Sequence, residues 1–266
     1  MNELTTALWE RRPQQATRIV DAHAHAGPYS VFFIPDPDPA GMLGVMDRCG
    51  VAHAMLSSHL AIQLDAAKGN AVTAEIVDRA PDRFTGYLTV NPWQDPVAEL
   101  DRWGGDPRFG GIKVHPDLHE YPLTGSRYAP VWEYAELTGR PVLTHTYSGS
   151  PYNDLPLVDE VAGRHPRATI LAGHSGVTPL GIDQSIEVAE RHERVILEVC
   201  GSFNTGADIA EMVRRLGAHR VVYGSDFPFI DLRMSLGRIL FSDLGDDDRA
   251  AVLGGTITAL LGRTGA

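Results

Sequence analysis

The chain has 266 residues, 43% apolar and 21% charged, with 34 acidic against 23 basic side chains and a net charge of −11. That is enough apolar material for a sizeable core, and no long single-sign block argues for disorder. The acidic balance, with no basic patch, speaks against nucleic acid and anionic membrane surfaces as partners, and no apolar run approaches the ~18 residues of a membrane span.

Residues 1–17 form an N-terminal extension in which Leu4, Ala7 and Leu8 predict a short helix on the outside or bottom of the fold. The first strand is expected over 18–23, and it opens the stretch Ile19-Val20-Asp21-Ala22-His23-Ala24-His25-Ala26-Gly27. Positions i and i+2 of a strand share a face. Two imidazoles near a strand end can therefore reach one ion, at roughly 2.0–2.1 Å for zinc. A proline-rich loop follows over 32–39, of the kind that serves as a lid or binding loop. Tyr29, Phe32 and Phe33 are expected either to wall a pocket or to plug apolar surface under that loop.

A helix over 40–49 is stopped by Gly50. Strands are then expected over 52–57, 84–90, 110–116, 141–145, 168–174, 195–200 and 220–226. The helices between them are expected over 65–80, 96–103, 129–137, 155–163, 182–191 and 207–216. A C-terminal helix over 246–266 begins at Asp246-Asp247-Asp248, whose charges favour a helix N-terminus. Eight strands alternating with helices imply a parallel sheet, and this length fits a single (β/α)₈ barrel domain over 1–266. The rival, an open doubly wound sheet, often carries a glycine-rich phosphate loop after its first strand, and none is present here.

In such a barrel the C-terminal strand ends form one mouth, where active sites lie. His23 and His25, Lys113 and His115, His145, His174 and Asp226 would all stand there. Together they read as a metal site that leaves a coordination position for water. Singly each has a plain alternative: His174 beside Gly173 and Gly176 as a turn residue, Asp226 as a cap. Cys200 reads as small packing, and alternation alone does not decide whether Glu198 faces the mouth or the helices. His59 and His119 fall on mouth-side loops. His53, His165, His192 and His219 fall at the bottom or outside. With only Cys49 and Cys200, far apart, the thiols read as reduced and the protein as cytoplasmic. The first residues show no export pattern.

Asp21-Ala22-His23-Ala24-His25, the His ending strand 5, Gly173-His174-Ser175-Gly176 and Gly224-Ser225-Asp226-Phe227-Pro228 resemble the amidohydrolase superfamily. More narrowly, they resemble the amidohydrolase-related branch that contains aminocarboxymuconate semialdehyde decarboxylase. The resemblance covers nearly the whole chain. It implies a divalent metal, usually zinc and here one ion rather than two, held by His23, His25, His145 and Asp226. His174 would lie beside the metal-bound water or act as a further ligand. Asp226 would then take the water's proton and His174 would stabilise the developing charge. Lys113 has three readings: a carbamylated bridge between two metals, a cation for a substrate carboxylate, or a structural lysine paired with an acid such as Glu198. His115 shares its face and is expected at the substrate. The segment His115-Pro116-Asp117 departs from the His-Pro-Trp type of the decarboxylase relatives, and Thr256 stands where the family usually has Asn. The expected activity is therefore hydrolysis of a C–N or C–O bond in a small molecule, with non-oxidative decarboxylation as the alternative. A barrel that binds a metabolite without catalysis is a third reading. An apolar tail, Ile257, Leu260 and Leu261, is expected to contribute to a homo-oligomer interface if exposed.

Overall fold

A computed structural model describes residues 3–12, 17–35 and 37–262. The eight strands are β1 (Ile19–Ala26), β2 (Val51–Ser58), β3 (Phe84–Thr89), β4 (Phe109–Val114), β5 (Val142–His145), β6 (Ile170–Gly173), β7 (Val195–Glu198) and β8 (Val221–Val222). They pair in sequence order, each parallel to the next. The sheet closes without a regular ladder. Instead Ala22 N donates to Tyr223 O, His25 N to Phe227 O and Asp226 N to His23 O, at 2.7–2.9 Å, so the closure is an irregular (β/α)₈ barrel seam.

Helix starts follow their capping chemistry. Asp38, Asp65, Asp95, Asp154 and Thr178 each accept from a backbone N–H of the first turn, satisfying donors a helix cannot pair internally. Two short helices, His59–Gln63 and Pro116–His119, sit in the mouth loops. A longer one, Leu232–Leu240, follows β8, where the sequence reading placed no element. The C-terminal helix is continuous only through a π-turn over Ala251–Gly255. The N-terminal helix is Glu3–Trp9, with Leu4 and Ala7 buried; the Leu8 side chain lies outside the described residues. The apolar tail is no exposed interface. Ile257 is fully buried, with Leu260 and Leu261 packed against the same cluster, and the three help plug the barrel. No described helix is long and apolar enough to cross a membrane.

Side-chain alternation divides the barrel into layers. Val142, Ile170, Val195 and Leu197 pack outward against the helices. Leu143, Leu171, Ile196 and Val222 fill the interior with Val20, Ala22, Met55 and Tyr87. Above this apolar floor the inward positions turn polar: Lys113, His145, Glu198 and Cys200.

β1 obeys the alternation only because it is broken once. Val20 and Ala22 face the interior floor, whereas Ala24 and Ala26 pack in the outer layer. Strict alternation from Val20 would send His23 and His25 outward. Between Asp21 and Ala24 the pairing with β2 slips, so two β1 residues stand against Met55 alone. A bulge of this kind re-aims the side chains beyond it, and here it swings both histidines inward.

Candidate active site

The mouth holds a cavity of about 280 Å³ lined by His23, His25, Lys113, His145, His174 and Asp226, and also by His115. All seven sequence-predicted residues therefore meet in one place. His25 Nε2 lies 3.2 Å from His23 Nε2 and 3.2 Å from Asp226 Oδ1, and His23 Nε2 lies 3.8 Å from the same oxygen. Ligands ~2.1 Å from a tetrahedral ion stand roughly 3.4 Å apart, so these three atoms have the spacing of one ligand set. His174 and Asp226 also belong to a group, with His23 and Cys200, whose ligand atoms all fall within 4.8 Å.

The neighbours of these rings fix which nitrogen faces the centre. His23 Nδ1 donates to Glu198 Oε2 at 2.8 Å. His25 Nδ1 stands 3.2 Å from Ser57 Oγ, and His145 Nδ1 stands 3.1 Å from Asp117 Oδ2. In each ring Nε2 is left for the cavity, the arrangement by which outer partners set the tautomer of a ligating histidine. Two lone pairs and a carboxylate oxygen this close together need a cation beside them; Lys113 Nζ, 2.9 Å from His23 Nε2, supplies one positive charge, and the N/O donor set also fits a divalent ion. Burial, reinforced by Lys113, pushes His23 and His25 well below the ordinary imidazole range, which keeps both neutral. Burial, then His145, brings His174 down to about 3.

Asp21 and Glu198 hold this centre from behind. Asp21 is fully buried and accepts from the backbone N–H of His23 and of Ser225, at 3.0 and 2.9 Å, and from the Ser225 hydroxyl. It thus ties β1 to the segment bearing Asp226. Glu198, on the inward register of β7, also accepts from His174 N at 3.1 Å and Cys200 N at 2.6 Å. Burial raises both acids to about 7. Asp226 and His174 themselves sit at φ 60° and 66°. Left-handed backbone costs non-glycine residues roughly 1–2 kcal/mol each. Two such residues at the mouth mark a place where geometry is held against local preference.

Lys113 projects from β4 with its Nζ 2.9 Å from His23 Nε2. Burial lowers its pKa to about 8, against the pull of Asp226. Among the described residues it is the one cationic side chain lining the cavity, and Glu198 bonds His23. His115 arrives by a different route from the shared strand face expected. β4 ends at Val114, and His115 caps the next short helix, its Nδ1 accepting from Leu118 N at 3.3 Å. Its ring stacks on His145, centroids 4.5 Å apart and 15° from parallel.

Part of the cavity lining is aromatic, continuing from His25, whose ring lies 5.4 Å from that of Phe229. Tyr29, Phe32 and His59 each contact Phe229, with centroids 4.7, 5.6 and 4.5 Å apart. Of the β1-loop aromatics, Tyr29 and Phe32 wall the pocket, while Phe33 is 88% exposed. His119 is no pocket residue; it is buried between Tyr128 Oη at 2.7 Å and the Ile62 carbonyl at 3.1 Å. Sequence reasoning missed Asp117 and Asn153, and it read Cys200 as packing. Cys200 Sγ in fact lies 2.9 Å from Glu198 Oε2 and 3.2 Å from Nδ1 of both His23 and His174.

The family model described as amidohydrolase matches residues 20–263, and the chain belongs to that family of enzymes. Among solved structures it is similar to 5-carboxyvanillate decarboxylase from Sphingomonas paucimobilis. That match has 16% identity and a TM-score of 0.74, over 92% of this chain and 99% of the other. It is similar also to 2,6-dihydroxybenzoate decarboxylase from Rhizobium, with 20% identity and a TM-score of 0.72 over the same shares. A third is a dihydroxybenzoic acid decarboxylase from Polaromonas sp. JS666 with bound manganese and the inhibitor 2-nitroresorcinol. It has 16% identity and a TM-score of 0.71, over 92% of this chain and 97% of that one. At these identities the likeness is one of fold. No curated protein matches the chain.

Proposed function

We propose that this chain is a metal-dependent decarboxylase of a small, ring-bearing carboxylic acid, working from one barrel domain. The observation that carries the reading is the mixed lining of the cavity: the aromatic rings of Tyr29, Phe32 and Phe229 stand beside histidines, one carboxylate and one lysine. Such a space accepts a planar ring together with its polar substituents. The decarboxylases among the similar structures support this choice over hydrolysis.

His23, His25, His145 and Asp226 would hold the ion, with His174 at its edge. A divalent ion bound there supplies Lewis acidity toward the oxygen substituents of the substrate. Lys113 and His115 orient the carboxylate, and the aromatic lining keeps water from the ring face. Asp226 or His174 takes the proton that a ring hydroxyl of the substrate gives up and delivers it to the carboxyl-bearing carbon; the C–C bond then breaks, its electron pair passes back into the ring, and CO₂ leaves. Zinc suits this N/O donor set, while the Polaromonas neighbour holds manganese. The two free cysteines support a reducing, cytoplasmic setting.

Hydrolysis of a C–N or C–O bond is the second reading. In it Asp226, whose Oδ1 lies 3.2 Å from His25 Nε2, would take the proton of an attacking water. The test is a panel of hydroxybenzoates, amides and lactones offered to protein loaded with zinc or with manganese. Products are scored by CO₂ release and by ¹⁸O uptake from labelled water. CO₂ without ¹⁸O in the organic product is expected; ¹⁸O uptake without CO₂ would replace decarboxylation by hydrolysis.

A further inference from the structure

A second cavity, of about 420 Å³, lies away from the mouth and shares no lining residue with it. It opens beside the N-terminal helix Glu3–Trp9, between the helices Pro39–Cys49 and Leu232–Leu240. Buried Leu4, Val45, Leu236 and Leu240 give it an apolar floor.

Its rim is cationic in a protein of net charge −11: Arg11, Arg12, Arg48 and Arg233 all line it. Two of the four are answered locally. Arg12 pairs with Glu3 and Glu10, both at 2.7 Å, and Arg233 pairs with Asp231 at 2.5 Å. Arg11 and Arg48 have no carboxylate within ion-pair distance among the described residues, although the Arg48 charge helps hold the Asp231 carboxyl down. Cys49, half-buried, shares the lining. Burial raises its thiol pKa, and Arg233 and Arg48 pull it back against Asp231, so the rim charges are felt inside the cavity.

Apolar floor and unanswered guanidinium groups call for a ligand with one end of each kind. Guanidinium pairs readily with carboxylate, and the volume lies within the ~300–1,000 Å³ of small-molecule sites. We propose that this cavity binds a small amphipathic carboxylate, its chain on the leucines and valine and its head on Arg11 and Arg48.

Cys49 provides the readout. N-ethylmaleimide labelling of the full-length protein is followed by mass spectrometry, with Cys200, which is fully buried, as the internal reference. Millimolar octanoate is expected to slow Cys49 labelling at least about threefold, while octanol at the same concentration leaves it unchanged. The protection is expected to vanish in R11E/R48E, a variant altered at two exposed positions whose folding is checked by its melting temperature. No protection by octanoate, equal protection by octanol, or protection that persists in R11E/R48E would each overturn the proposal.

Discussion

Asp117→Asn isolates the outer support of the metal site. Asp117 Oδ2 takes His145 Nδ1 at 3.1 Å and Asn153 Nδ2 at 2.7 Å, while its Oδ1 takes Ser150 Oγ at 2.5 Å. Burial raises its pKa, but the hydrogen bonds from His145 and Ser150 outweigh that and hold it below the ordinary aspartate range. The asparagine oxygen still serves His145 and Asn153, and the Ser150 hydroxyl rotates to accept from the new amide. What is lost is the charge behind the imidazole. Outer partners of metal-binding histidines contribute about 10–100-fold in affinity. Asp117 is 31% exposed, so solvent screens it and the low end applies. Metal affinity should fall about tenfold, or ~1.4 kcal/mol, with stability changed by less than ~1 kcal/mol. Chelator competition with zinc and with manganese measures the first, and urea unfolding of the metal-free protein the second. If wild type binds metal and Asp117→Asn binds it within twofold as tightly, His145 is not a ligand held by this carboxylate.

Removing the metal with a strong chelator should abolish turnover, and adding back zinc or manganese should restore it; elemental analysis should count about one ion per chain, unchanged in Lys113→Ala. Two ions falling to one or none in that variant would make Lys113 a bridging residue. Asp226→Asn should lower kcat about 10³-fold, within the range of a lost acid–base group, with the far-ultraviolet dichroism and melting temperature kept. Gly224→Ala should destabilise the fold by about 1–3 kcal/mol and weaken metal binding, because a Cβ there would stand 2.0 Å from Glu198 Oε1 and 2.8 Å from His23 Cβ. Denaturant unfolding and chelator competition read the two effects, and an unperturbed protein would show that Glu198 is free to move.

Much of this architecture is legible in the chain because short buried strands announce themselves. Val142-Leu143-Thr144-His145 and Val195-Ile196-Leu197 are apolar runs of strand length, and Pro96–Trp103 was bounded correctly at both ends. Its proline at the first helical position and its Asp95 cap are local signals. Lys113 and His145 lie on the C-terminal ends of β4 and β5 as the strand-end reading expects, whereas His115, His174 and Asp226 lie just beyond their strands. The helix Leu232–Leu240 escaped although it has an Asp231 cap and buries Leu232, Leu236 and Leu240 at helical spacing; it follows an irregular stretch after the two-residue strand Val221–Val222, where the alternation of strand and helix is lost.

The outer supports escaped for a different reason. Glu198 meets His23 from 175 positions away, and Asp117 meets His145 from a loop rather than a strand. Neither spacing leaves a periodic mark. Glu198 becomes readable only with its neighbours: Ile196 faces the interior floor, so 198 and 200 on the same parity must face inward too. That parity argument, applied to β1, would have failed. Val20 and Ala22 are interior, and only the slip between Asp21 and Ala24 turns His23 and His25 to the same side. The His-x-His spacing says the two imidazoles point together; the bulge, held by buried Asp21, decides that they point into the barrel.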